Sequence, residues 1–160
     1  MVTAQETVLG VLDPELPLVT IGELGIVRSV DVDGSGAVAV VITPTYTGCP
    51  AMGAITDAIN AALRSGGWGT VSIETVLSPA WTTDWITESG REKLRAAGIA
   101  PPTCIAASAG GLAVAIDAPV ACPRCGSRRT RRRSEFGATA CKATYVCRAC
   151  AEPFEAFKPL

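Results

Sequence analysis

The sequence contains no histidine. That removes the commonest general base near neutral pH and every mixed Cys/His metal site, so any chemistry must rest on cysteine, carboxylate or a bound metal. It also lacks a nucleotide-binding glycine pattern and any carboxylate–histidine cluster of the kind that holds a di-iron site, so the groups for hydride or oxygen chemistry are missing. No catalytic activity of its own is expected. Met1 to Gly10 has no basic stretch or long apolar run and includes Glu6, unlike a secretory signal. The longest uncharged stretch, Ala96 to Ile116, is interrupted by Pro101-Pro102 and Gly110-Gly111, which leaves too little for a membrane span of roughly 20 residues. The expectation is a soluble, cytoplasmic protein without membrane association.

What is present is a composition 48% hydrophobic over 160 residues, enough for one ordinary domain and a small appendage. Seven cysteines without an export signal favour metal binding over disulfides. The net charge of −1 conceals an asymmetry about Cys122. Residues 1 to 121 hold five Lys/Arg against twelve Asp/Glu, a balance of −7, and residues 122 to 160 hold nine against three, a balance of +6. The oppositely charged parts either dock on one another or face different partners.

The chain can be read as α+β: a small α/β domain over 1–100, a linker over 101–121 and a metal-folded domain over 122–160. Thr3-Ala4-Gln5-Glu6 fits a capping box, with Val8, Leu9 and Leu12 as the apolar face of a first helix that runs to Leu12 and ends at Pro14. Asp13 and Glu15 then lie in a proline-rich turn, where acids are ordinarily solvated. Strands are expected over 26–32, 37–42 and 70–77 from their β-branched and alternating residues. Trp81 and Trp85 read as anchors of an irregular segment, and Thr87 caps a last helix over 88–97 that Gly98 terminates in the C′ position. The linker is rich in Ala, Gly and Pro; it has room for a short strand at 111–116, and Cys104 has no evident role there.

Between the second strand and the second helix lies Thr43-Pro44-Thr45-Tyr46-Thr47-Gly48-Cys49-Pro50. Pro50 suits the first helical position, and Ile55, Ile59, Ala62 and Leu63 follow at helical spacing before Gly66-Gly67. Cys49 then stands at or beside an N-cap, where free amides and the helix dipole favour a thiolate, and Gly48 leaves the backbone open to a ligand. The alternative is a buried cysteine acting as a small hydrophobe.

The strongest spacing signal is Cys122-Pro-Arg-Cys125 and Cys147-Arg-Ala-Cys150, two C-x-x-C pairs separated by 21 residues. Together they can complete a tetrahedron of thiolates around zinc, although four thiolates also suit iron. Thirty-nine residues hold too little core to fold alone, whereas structural zinc supplies on the order of 10–16 kcal/mol in small fingers. Cys141 is a fifth cysteine in this region and an alternative ligand. The arginine run at 128–133 can hold nucleic-acid phosphates or meet an acidic protein surface, and the −7 charge of the preceding part favours the second reading.

Several of these motifs resemble the MIP18 (domain of unknown function 59) family, which is linked to iron–sulfur assembly: Asp13-Pro14-Glu15, Leu24-Gly25-Ile26-Val27 and the segment from Thr43 to Pro50. Trp81-Thr82-Thr83-Asp84-Trp85-Ile86, 98–102, 136–143 and Glu152-Pro153-Phe154 add a resemblance to the D-subunit family of phenylacetyl-CoA epoxidase (phenylacetate degradation) systems. Departures are Ala138, where serine is usual, and Ala151, where glycine would suit a second knuckle. The resemblance implies that Cys49 is the functional cysteine, supported by Asp13, Glu15, Thr47 and Gly48. It also implies an accessory role in aerobic phenylacetate catabolism, the maturation of iron–sulfur or di-iron centres, with iron or a cluster held transiently at Cys49 and structural zinc in the ribbon. The implied partners are the oxygenase and reductase components and iron–sulfur assembly proteins, with a homodimer left open. A stoichiometric, non-catalytic oxygenase component and a nucleic-acid-binding ribbon are the competing readings.

Overall fold

A computed structural model describes residues 2–46, 48–102 and 120–158. The chain divides into two compact units, one ending at Gly90 and the other beginning at Arg91.

The first unit opens with α1 (Ala4–Leu9), which carries the expected capping box: the Thr3 hydroxyl accepts from the Glu6 N–H at 3.1 Å and the Glu6 carboxylate accepts from the Thr3 N–H at 2.8 Å. The helix stops at Gly10 rather than continuing to Leu12. Leu12 instead forms an antiparallel bridge with Thr20, and the Asp13 N–H donates to the Val19 carbonyl at 3.0 Å. The intervening residues are therefore a chain reversal, and Pro14 shapes that reversal without ending the helix.

Strands β1 (Val27–Val32), β2 (Val38–Ile42) and β3 (Val71–Thr75) form a sheet in that order. The β1–β2 pair is antiparallel, closed by the turn at Asp33-Gly36, whereas β2 and β3 are parallel and need a crossover. That crossover is α2 (Met52–Ser65). Its Ile55, Ile59 and Leu63 recur every four residues and are buried, which puts them on one face. Val38, Val40 and Ile42 alternate inward from β2 and are likewise buried. Val8, Val19, Ile21, Leu24 and Ile26 complete an ordinary apolar core. Trp81 is buried with its indole N–H donating to the Leu24 carbonyl at 2.9 Å, and Arg28 lies over the Trp85 ring at 4.0 Å, so both tryptophans anchor the irregular segment as expected.

Helix α3 (Glu88–Ala96) begins in the first unit and ends in the second. The Thr87 hydroxyl accepts from the Gly90 N–H at 3.1 Å, and Gly98 has φ +78 beyond its end, so both caps stand where the residue pattern places them. The short β4 (Ile99–Ala100) follows and joins the sheet of the second unit, ordered β4-β7-β6-β5, through a parallel pairing with β7 (Pro153–Phe157). β5 (Thr130–Ser134) and β6 (Lys142–Cys147) complete the sheet through antiparallel pairs. The buried cluster there consists of Ala100, Cys122, Cys147, Phe154 and Ala156, with Val120 and Tyr145 packed against it. Most of the linker expected over 101–121, including Cys104 and the candidate strand at 111–116, lies outside the described residues.

Ile59 is fully buried in the middle of α2, and its truncation leaves a cavity that the crossover cannot collapse without losing the sheet beneath it. Ile59→Ala is expected to lower unfolding stability by about 2–5 kcal/mol. Urea titration followed by tryptophan fluorescence measures it, and a loss comparable to that of a surface substitution would contradict this packing.

Candidate functional site

Two cysteine sites lie in the two units. In the first, the chain leaves β2 through Thr43, whose N–H donates to the Ile26 carbonyl at 2.8 Å, and enters a loop before α2. The N-cap of that helix is Ala51, so Pro50 and Cys49 precede the cap instead of occupying the first turn. The Cys49 N–H donates to the Tyr46 carbonyl at 3.2 Å, and Cys49 is half-buried. Gly48 has φ +88, and nothing lies within 4 Å of where a Cβ would stand. This is the open backbone the sequence suggested, and only glycine adopts that conformation without strain. Thr47 lies outside the described residues.

The expectation of a thiolate at Cys49 is not met. Burial pushes its thiol above the ordinary cysteine value, and the negative charges of Glu15 and Asp13 push the same way. The Ala51 N–H and the Thr45 hydroxyl oppose the shift without reversing it. Displacement from the helix end removes most of the dipole's help, since that field falls off within the first turn. The charges of both acids act on the sulfur, and their effect opposes ionisation.

Asp13 is not the solvated turn residue the composition suggested. It is only 5% exposed, and its Oδ1 accepts from the Glu15 N–H at 2.9 Å and the Leu16 N–H at 2.8 Å. Burial raises its carboxyl pKa against the pull of those two amides, the Leu16 N–H first. Sequence reasoning did not anticipate the role of Thr45, and a threonine in a Pro/Thr-rich loop carries no signal for it.

In the second unit the Sγ atoms of Cys122, Cys125, Cys147 and Cys150 all lie within 4.8 Å of one another. The Cys122–Cys150 and Cys125–Cys147 sulfurs are 3.8 Å and 3.6 Å apart. A tetrahedron with zinc–sulfur bonds of about 2.3 Å has sulfur–sulfur edges of about 3.8 Å, so the donor set fits zinc. Two equivalent knuckles build it. The Cys122 N–H donates to the Ser127 carbonyl at 3.0 Å and the Cys147 N–H to the Glu152 carbonyl at 2.9 Å. In each knuckle the residue after the second cysteine is left-handed, Gly126 at φ +71 and Ala151 at φ +61. Ala151 therefore occupies a position that favours glycine.

Cys147 and Cys150 of the cluster ionise very unequally. Cys147 is drawn down to about 6, chiefly by the Cys150 N–H. For Cys150 the Glu152 N–H pulls downward, but burial and the three neighbouring sulfurs outweigh it and push the thiol up to about 12. A bound cation removes that conflict, because a coordinating thiol is deprotonated outright. Cys141 is buried with its sulfur 3.0 Å from the Thr139 hydroxyl and stands outside the four-sulfur cluster.

Residues 111–158 match the PaaD zinc beta ribbon domain, and residues 5–75 match the iron–sulfur cluster assembly protein family. A protein of Escherichia coli, provisionally named as the D subunit of 1,2-phenylacetyl-CoA epoxidase, is 47% identical over 91% of this chain and 85% of its own length. The chain belongs to the family of phenylacetyl-CoA epoxidase D subunits. A second relative, the Fe-S protein maturation auxiliary factor of Porphyromonas gingivalis, is 34% identical over 52% of this chain and 80% of its own length. The crystal structure of a domain of unknown function 59 protein from Bacillus anthracis superposes with a TM-score of 0.54 at 26% identity, covering 57% of this chain and 87% of that one. The chain thus joins an assembly-type α/β fold to a ribbon with a four-cysteine cluster suited to structural zinc. Among the described residues no helix is long and apolar enough to cross a membrane.

The four-sulfur geometry predicts one tightly held zinc per chain. Cys125→Ser should release it and unfold the ribbon, measured by metal analysis and by amide exchange across β6 and β7. Full zinc retention, or iron with sulfide in its place, would count against this centre. For Cys49, alkylation at neutral pH should be slow and should accelerate only at a pH above that of an ordinary cysteine. Glu15→Gln removes a charge that raises the thiol pKa and should move the rate profile to lower pH. An unchanged profile, read by mass spectrometry on Cys49, would show that the carboxylate does not act on the sulfur.

Proposed function

We propose that this chain is an accessory factor that matures the metal centres, iron–sulfur or di-iron, of the phenylacetyl-CoA epoxidase system in aerobic phenylacetate catabolism. Cys49 is its functional cysteine, with Asp13, Glu15, Thr47 and Gly48 in support. It works in the cytoplasm with the oxygenase and reductase components and with iron–sulfur assembly proteins as partners. The observation that carries the reading is a thiol on an open glycine backbone beside two carboxylates, in a chain with no histidine.

Among the described residues, no group of three metal-ligating side chains includes Cys49. One sulfur and nearby negative charge suit brief contact with a cationic cargo. Iron or a cluster is such a cargo, and the remaining ligands come from the donor or the recipient. The two acids attract the cation, and its arrival displaces the thiol proton to solvent, since a bound cation inverts the local preference for the protonated form. The maturation-factor name of the Porphyromonas gingivalis relative, which aligns with about half of this chain, supports the same reading. The zinc in the ribbon is structural and takes no part in the transfer.

The competing reading is a stoichiometric, non-catalytic oxygenase component, and one experiment separates the two. Cells carrying Cys49→Ala should make normal amounts of the oxygenase and reductase but fail to grow on phenylacetate, with those enzymes deficient in iron or clusters. Chemical loading of the purified enzymes should then restore activity without this chain. Activity that returns only when the chain is added in stoichiometric amounts would make it a working component instead.

A further inference from the structure

We infer that the outer edge of β5, which has no strand partner among the described residues, is a docking strand for an acidic, extended segment of a partner protein. The inference rests on the accessory reading above, which requires the chain to hold a protein client, and it names the surface and the chemistry of that client.

β5 is the outermost strand of its sheet and pairs only with β6 among the described residues. Arg128, Arg129, Arg131, Arg132 and Arg133 on and before it are all exposed. Arg148, also exposed, joins them across the pair, its N–H donating to the Arg129 carbonyl at 2.7 Å. Of these six, Arg132 has an ion pair, with Glu135 at 2.9 Å, and none of the other five has a partner for its guanidinium among the described residues.

Charged side chains on an edge strand ordinarily guard against edge-to-edge pairing. The register of β5 against β6 shifts between Arg132 and Ser134, which leaves Thr130 to Arg132 as its regular stretch. The five guanidiniums without a partner among the described residues repel one another, an arrangement that an opposite charge relieves. They also exclude a second copy laid antiparallel on β5, because arginine would then face arginine. An acidic strand meets the surface in two ways. Its backbone can bond to the unpaired edge, and its carboxylates can each take two hydrogen bonds from a guanidinium on either face.

A single-stranded nucleic acid fits less well, since sites for it combine positive charge with free aromatic faces. Phe136 is 69% exposed, but the Lys158 ammonium lies over its ring at 4.6 Å, and the Tyr145 ring is stacked on Phe154.

The test uses the full zinc-loaded chain and a fluorescein-labelled peptide of alternating Glu and Thr, followed by fluorescence anisotropy. Two further probes are the same peptide with alternate backbone amides N-methylated and a random-sequence DNA duplex. The unmodified peptide should bind about tenfold more tightly than the N-methylated one, and Arg131→Glu with Arg133→Glu should weaken it by at least about tenfold. Zinc content and circular dichroism check the fold of that variant, and Arg131→Gln with Arg133→Gln replaces it if zinc is lost. Equal binding of the N-methylated peptide would reduce the surface to undirected charge, and unchanged binding by the arginine variants would place the site elsewhere. Tighter binding of the duplex with a steep salt dependence would make it a nucleic-acid interface. Each of these outcomes overturns the inference. Peptide binding is independent of the Cys49 growth phenotype, so failure of the docking strand and failure of the maturation reading give different results.

Discussion

The convergence of four sulfurs from two distant stretches of chain is the constraint on which the second unit depends. Its buried cluster has five members, and two of them, Cys122 and Cys147, belong to that convergence. Without a cation those two sulfurs only pack among apolar neighbours. With one, they become the centre of a cross-link between the knuckle before β5 and the knuckle after β6. The pairing of Thr130 with Cys147 then places β5 on the sheet directly beside a ligand. The first unit has no such dependence, because Ile21, Leu24, Ile42, Ile55, Ile59 and Leu63 are fully buried there and supply a conventional apolar core. One chain thus uses two different sources of folding free energy.

Much of this is legible in the residues because the signals are local. A capping box, a glycine at C′ of α3, four-residue spacing on α2 and paired C-x-x-C motifs each act within a few residues of chain, and each appears where its pattern stands. The departures arise where tertiary contacts decide. Helix α1 ends at Leu9 and not at Leu12 because Leu12 pairs with Thr20, a contact no helical pattern encodes. A proline-rich turn suggests a solvated Asp13, but its neighbours close over it and its carboxylate caps two amides. The ionisation of Cys49 departs from expectation for the same kind of reason. A helix start is visible in the sequence, whereas the burial of the sulfur and the acids acting on it are not.

The matched models and relatives fix the architecture, an assembly-type domain followed by a zinc ribbon. The two cysteine sites differ in their surroundings: one sulfur stands beside carboxylates, whereas four stand together beside backbone amides.

The protonated state of Cys49 bears on how long the residue survives. Peroxides, disulfides and other electrophiles attack the thiolate, so susceptibility follows the fraction ionised. The same burial and the same two carboxylates that oppose ionisation also shield the sulfur from attack of that kind. A positively charged visitor lifts that shielding by neutralising the acids, whereas a neutral oxidant leaves it in place.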